Sequence, residues 1–260
     1  MKKILVLCFG LLLAGCAKDF DMQKFEHKQP EEIFREAKGM EDAKNYSLAA
    51  EIFEELEKLY PYSKLVPEAQ LHAGDCNYKL KKYEEATTTY EIFVKTHPTH
   101  AKVPYALYML GLINYEQMPI IERDQELTAK SITYFGELFK KYPNCEYIKQ
   151  AEVILKKLRQ QMAGREVYVA RYYLARNNYA AAVGRLNTVV EVYKDTDHGP
   201  EAMLRLVECY VAMGLFNEAK LVNDLLQKDF KNTKWAGYAK NLLKKYQNEQ
   251  TKPSQSTNKR

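Results

Sequence analysis

The side chains best suited to chemistry in this 260-residue chain are its five cysteines and five histidines. A thiolate is a nucleophile or metal ligand, and an imidazole a base or ligand near neutral pH. Their spacing supports little of this. Only His97 and His100 stand close, in His97-Pro98-Thr99-His100, and without further ligands such a pair reads as a polar loop. The chain has no Cys-x-x-Cys, no glycine-rich phosphate loop and no Gly-x-Ser-x-Gly. Paired acids at Glu31-Glu32, Glu54-Glu55 and Glu84-Glu85 fall at solvent-facing helical spacing. No catalytic set, metal site or cofactor follows from these residues. The thiol with a distinctive setting is Cys16, which follows Leu13-Ala14-Gly15.

Lys2 and Lys3 precede a short apolar run at 4–13, too short to span a bilayer and typical of a cleaved secretory signal. Leu13-Ala14-Gly15-Cys16 resembles the lipobox of bacterial lipoproteins. That resemblance implies cleavage before Cys16, diacylation of its thiol and acylation of the new amine. Several acyl chains anchor stably where one does not. Ala17 and Lys18 follow in place of the aspartate that marks inner-membrane retention, so the resemblance is to the outer-membrane class. Loss of residues 1–15 lowers the formal charge from +5 to +3, too mild a balance to imply nucleic-acid binding. Cys76 and Cys209 each sit nine residues after a proline (Pro67, Pro200), as small packing residues would. With Cys145 they make an odd set, and no disulfide is expected.

The elements that position these residues repeat every 37 residues. Pro30, Pro67 and Pro104 open three units, and Pro61 and Pro98 close the first two. Ala37, Gly74 and Gly111, then Ala49 and Ala86, recur between them. Such a period marks a solenoid, whose units bury apolar faces only against neighbours. Counted from each opening proline, small residues at eight and twenty, an aromatic at twenty-four and proline at thirty-two resemble the tetratricopeptide repeat (TPR). The expected fold is therefore all-α, an α-solenoid of five TPR repeats at about 30–66, 67–103, 104–146, 147–199 and 200–248. Residues 16–29 read as a polar tether and 249–260 as a disordered tail.

Two interruptions stand out. In the third unit Tyr142-Pro143 closes eight residues late, with the surplus around 117–125. In the fourth, the register fits only when counted from Ala163, which gives Ala170, Ala182 and Leu186, and predicts one long helix over 145–176, bent near Gly164. Lys194 and Lys231 replace the closing proline in the last two units, and Asn223 the aromatic in the fifth.

In TPR solenoids, positions two, five, nine, twelve and thirteen line the concave face. By that resemblance Phe34, Leu71, Tyr78, Tyr105, Tyr108 and Tyr115 would line a groove fit for an extended peptide with aromatic side chains, with Lys38, Glu41 and Asp75 among the polar positions. The same aromatics could instead pack against their own superhelix.

Lipobox, repeats and interruptions together resemble the BamD family, lipoproteins of the outer-membrane β-barrel assembly (BAM) complex, in its alphaproteobacterial form. The carrying stretches are 117–125, 139–147, 171–179 and 179–186. The resemblance implies a scaffold rather than an enzyme, held on the periplasmic face of the outer membrane by lipid on Cys16. It implies that the first repeats take the C-terminal targeting strand of unfolded β-barrel proteins, and that the last two dock the periplasmic part of BamA beside other BAM subunits. Arg185 stands at the place of a BamA-contacting arginine. The alternative is another outer-membrane TPR lipoprotein adaptor, a pilotin or a cell-wall-enzyme adaptor.

Overall fold

Proline begins the helices here for a local reason: its missing N–H falls among the donors that a first turn leaves unpaired anyway. Pro30, Pro67, Pro104 and Pro200 all occupy the first or second helical position. The computed structural model describes residues 22–250, so the expected signal, Cys16 and positions 251–260 lie outside the described residues. The chain divides into two compact units between Lys82 and Tyr83, inside the second sequence repeat.

The N-terminal unit holds a 3-10 turn at Met22–Phe25, then α1 (Pro30–Asp42), α2 (Tyr46–Leu59) and α3 (Val66–Lys79). Ala37 and Ala49, the eighth and twentieth residues of the first repeat, are fully buried, and Phe53 at position twenty-four fills the space beside them. Small residues let α1 and α2 approach, and the ring restores packing density. Ile33, Ile52, Leu56, Ala69 and Cys76 complete this core.

The polar-tether expectation for 16–29 extends too far along the chain. From Met22 onward the segment is a strap docked on its own unit. Phe25 is fully buried in the core, a gain of about 1.5–3 kcal/mol for such a side chain. Lys24 and Lys28 both pair with Glu36 and stand over the Phe25 ring, and Tyr60 donates its hydroxyl to the Lys28 carbonyl at 2.7 Å.

The C-terminal unit contains α4 (Tyr83–Thr96), α5 (Val103–Glu116), α6 (Glu126–Lys141), α7 (Ile148–Leu174), α8 (Tyr179–Val192), α9 (Gly199–Ala212), α10 (Phe216–Phe230) and α11 (Lys234–Gln250). Helix α7 is continuous over 27 residues, as the pattern before Ala163 predicts. Helix α11 extends to Gln250, so positions 249 and 250, expected in the tail, end a helix. No strand occurs among the described residues.

The backbone supplies a second mark of the repeat. Lys44, Lys81, Asn177 and Gly214 have positive φ, and each is the fifteenth residue of its repeat, the fourth counted from Ala163. In all four the next N–H returns to the carbonyl of the eleventh residue (Asn45 to Met40, Lys82 to Asn77, Asn178 to Tyr173, Leu215 to Tyr210). This left-handed stop pairs orphan helix carbonyls and turns the chain into the second helix. The third repeat lacks it, because its insertion takes over the turn. That loop is pinned to α7: Gln161 donates to the Pro119 carbonyl at 2.7 Å and Arg165 to the Glu122 carbonyl at 3.1 Å.

Candidate protein-binding surfaces

In the N-terminal unit, α1 and α3 bring polar and aromatic positions together. Phe34 is half-buried, edge-on to Phe53 at 5.5 Å and to the His72 imidazole at 5.8 Å. His72 stacks on Phe53 at 5.2 Å. Beside this aromatic set lies Glu41, whose side chain is only 9% exposed. Lys38 donates to it at 2.9 Å and Lys79 at 3.3 Å. His72 Nδ1 stands 3.0 Å away, at ion-pair distance but without hydrogen-bond alignment. Burial raises the Glu41 pKa, but the Lys38 hydrogen bond, the His72 and Lys38 charges and the Lys79 bond outweigh it and hold the carboxyl below its ordinary value. Leu71 is buried at 7% exposure and Tyr78 is half-buried. Phe34 and Leu71 therefore offer edges rather than free side chains.

In the C-terminal unit, α5 places Tyr105, Tyr108 and Tyr115 along one side. Tyr108 stacks on Tyr147 at 5.1 Å, and Tyr105 meets the same ring at 5.7 Å. Tyr115 accepts a hydrogen bond from Lys157 of α7 at 3.3 Å, and that ammonium also faces its ring. Tyr105 and Tyr147 border a cleft of about 360 Å³ with Lys102, Pro104, Cys145 and Glu146. Half-buried tyrosines with a polar tip are the kind of group that anchors a bound peptide. Tyr147 joins this set although sequence spacing did not single it out. Its signal was present in the junction at 139–147, but only the packing of α5 near the start of α7 gives it a partner.

Arg185 lies half-exposed on α8, 3.3 Å from the Glu166 carboxylate of α7. A second ionic set links α7 to α9 nearby in sequence. Glu201, only 6% exposed, accepts two hydrogen bonds from Arg171 and lies 3.8 Å from Arg205, which binds Glu208 at 2.8 Å. Glu201 is position two of the fifth repeat and Arg171 position nine of the fourth, both on the face that the TPR resemblance assigns to binding.

The residues screened for chemistry have structural surroundings. His97 and His100 both pack against Phe93, and His100 Nδ1 accepts the Lys102 N–H at 3.2 Å. No cluster of metal-ligating side chains occurs among the described residues. Cys76 and Cys209 are free and buried, and burial pushes their thiols up to about 12 and about 11. Glu54 is exposed, as its spacing predicts, although partial desolvation raises its pKa, and Asn77 donates to it at 3.4 Å. None of the described helices is long and apolar enough to cross a membrane.

Paired helices with small residues at their crossings and a recurring left-handed stop define a helical-repeat protein. The family described as "YfiO: Outer membrane lipoprotein" matches residues 26–225, and the chain belongs to that family. Similar relatives are the outer membrane protein assembly factors BamD of Rickettsia prowazekii (32% identical, covering 94% of this chain and 96% of that one) and of Caulobacter vibrioides (31% identical, 89% and 76%). BamD of Neisseria meningitidis serogroup A is 29% identical over 92% of this chain and 95% of its own. Among solved structures the chain is similar to the P58(IPK) TPR domain, at 12% identity and a TM-score of 0.44, over 86% of this chain and 67% of that one.

Proposed function

We propose that this chain is an outer membrane protein assembly factor that works as a lipid-anchored scaffold. The observation that carries this reading is its kinship, over nearly the full length of both chains, with relatives named for that role. Acylated Cys16 would hold it on the periplasmic face of the outer membrane. Phe34, Leu71 and Tyr78 in one unit, and Tyr105, Tyr108 and Tyr115 in the other, would take targeting peptides of unfolded β-barrel proteins. Arg185, with its exposed guanidinium, would contact BamA, and other BAM subunits would join the same assembly. Holding client and BamA on one scaffold raises the effective concentration of each for the other. No nucleotide or metal enters this mechanism.

Crosslinked pull-down from membranes tests it. BamA and β-barrel precursors should be captured, and depletion of the chain should lower β-barrel proteins in the outer membrane; capture of a secretin with loss of pili would point to a pilotin instead. Arg185→Glu should weaken BamA capture. Its ion pair with Glu166 is half-exposed and such pairs contribute about 0–1 kcal/mol, so folding should survive. Tyr108→Ala with Tyr115→Ala should weaken peptide capture. Loss of stability with unchanged capture would overturn the groove.

A further inference from the structure

The strap at 22–29 has a geometric consequence for anchoring, which rests on the acylation of Cys16 proposed above. If the chain from Cys16 were a free tether to Pro30, it would reach about 50 Å, at most about 3.6 Å per residue. Phe25 is instead fully buried, Lys24 and Lys28 are tied to Glu36, and Tyr60 binds the Lys28 carbonyl. Covalent reach then keeps Met22, six residues on, within about 22 Å of Cys16. The strap packs on α2, and Tyr60 marks where that helix ends.

The next residues form an ordered turn: Ser63 N–H returns to the Tyr60 carbonyl at 2.9 Å, and Leu65 N–H to Ser63 Oγ at 3.2 Å. At its tip Tyr62 is 99% exposed. Lys58, with a side chain 74% exposed, and exposed Lys64 flank it. A tyrosine ring with a polar tip partitions to the headgroup layer of a bilayer. A lysine near an anionic surface adds attraction to it, although Glu55 offsets part of the Lys58 charge.

We propose that the strap draws the N-terminal unit onto the bilayer, and that the α2–α3 turn, with Tyr62 between Lys58 and Lys64, contacts phospholipid headgroups. One tyrosine and two lysines would not hold a free protein on a membrane. On a short leash the contact becomes intramolecular, and its effective concentration falls with about the −3/2 power of leash length.

The test uses the full mature chain extracted from membranes, carrying Tyr62→Trp, in phosphatidylethanolamine and phosphatidylglycerol vesicles brominated near the headgroup. The parent chain, with its single Trp235, supplies the background. The introduced indole should be quenched by brominated lipid. Inserting about eighteen Gly and Ser residues between Ala17 and Met22 quadruples the leash and should cut the quenching up to about eight-fold. Phe25→Ala, which frees the strap, should cut it about three-fold. The insertion leaves the fold untouched and so separates leash length from stability.

Equal emission in plain and brominated vesicles would overturn the contact, as would quenching indifferent to leash length. Protection of the introduced indole by added membrane proteins but not by lipid would assign the turn to a protein partner and overturn it too. Mass spectrometry of the N-terminal peptide keeps the two readings apart. An unmodified Cys16 overturns the anchor and this inference with it, whereas acylated chain with an unquenched indole in the turn overturns the contact alone.

Discussion

The first and third repeats solve one packing problem with different residues. In the first, Ala37 and Ala49 let α1 and α2 close, and Phe53 fills the gap. In the third, Gly111, Ser131 and Phe135 do the same between α5 and α6, and Ser131 Oγ donates to the Gly111 carbonyl at 2.7 Å. Of the eight extra residues, six lengthen the loop between the two helices (117–125 against 43–45) and two lengthen the start of α6. Added to the expected twentieth and twenty-fourth positions, they land on Ser131 and Phe135. The third crossing is the tighter one, since a Cβ on Gly111 would stand 2.5 Å from the Phe135 ring. Packing at a helix crossing tolerates little change, whereas loop length costs entropy only slowly. Insertions therefore accumulate in the turn and leave the crossing intact.

The largest effect expected is that of Phe135→Ala, about 3–5 kcal/mol of destabilisation. Phe53→Ala should match it in calorimetric unfolding if the two rings play one role. A markedly smaller loss at either site would break the equivalence. Gly111→Ala should cost about 1–3 kcal/mol by overpacking. In a Phe135→Ala background that penalty should shrink, because the ring it strikes is gone; additive losses would show that the close approach is not the cause.

Position twelve separates the repeats by charge. It is Glu41 in the first and Tyr115 in the third, each bound by lysine. Glu41 has a folded pKa below its ordinary 4.5, so its contribution is present above that value and is lost as pH falls through the lower, folded one. Thermal unfolding of Glu41→Gln should fall below the parent near neutral pH and converge with it in acid. Tyr115→Phe should show no such convergence. The smallest effect concerns the stop at position fifteen. Lys44 pays for a left-handed φ of 61°, so Lys44→Gly should stabilise by up to about 1 kcal/mol. Met118, the counterpart in the third repeat, has no positive φ, and Met118→Gly should bring no gain.

Much of this was legible in the amino-acid order. Prolines and small residues at fixed spacing located the helix starts and crossings, and counting from Ala163 gave the register that the stop at Asn177 independently repeats. Less was legible at the candidate surfaces. Spacing makes Phe34, Tyr105 and Tyr108 candidate groove positions but does not assign them their ring partners Phe53, His72 and Tyr147. Phe25 sat in a polar stretch with no helical period to suggest burial.

Amino-acid order alone specifies the repeat and its interruptions, because helix starts and crossings are written in residues close together along the chain. Folding in three dimensions was needed to dock Phe25 and its lysines as a strap, to gather Lys38, His72 and Lys79 around Glu41, and to complete the tyrosine cluster with Tyr147. Those choices depend on which distant side chains reach a buried charge or an open ring face, and periodicity carries no record of that.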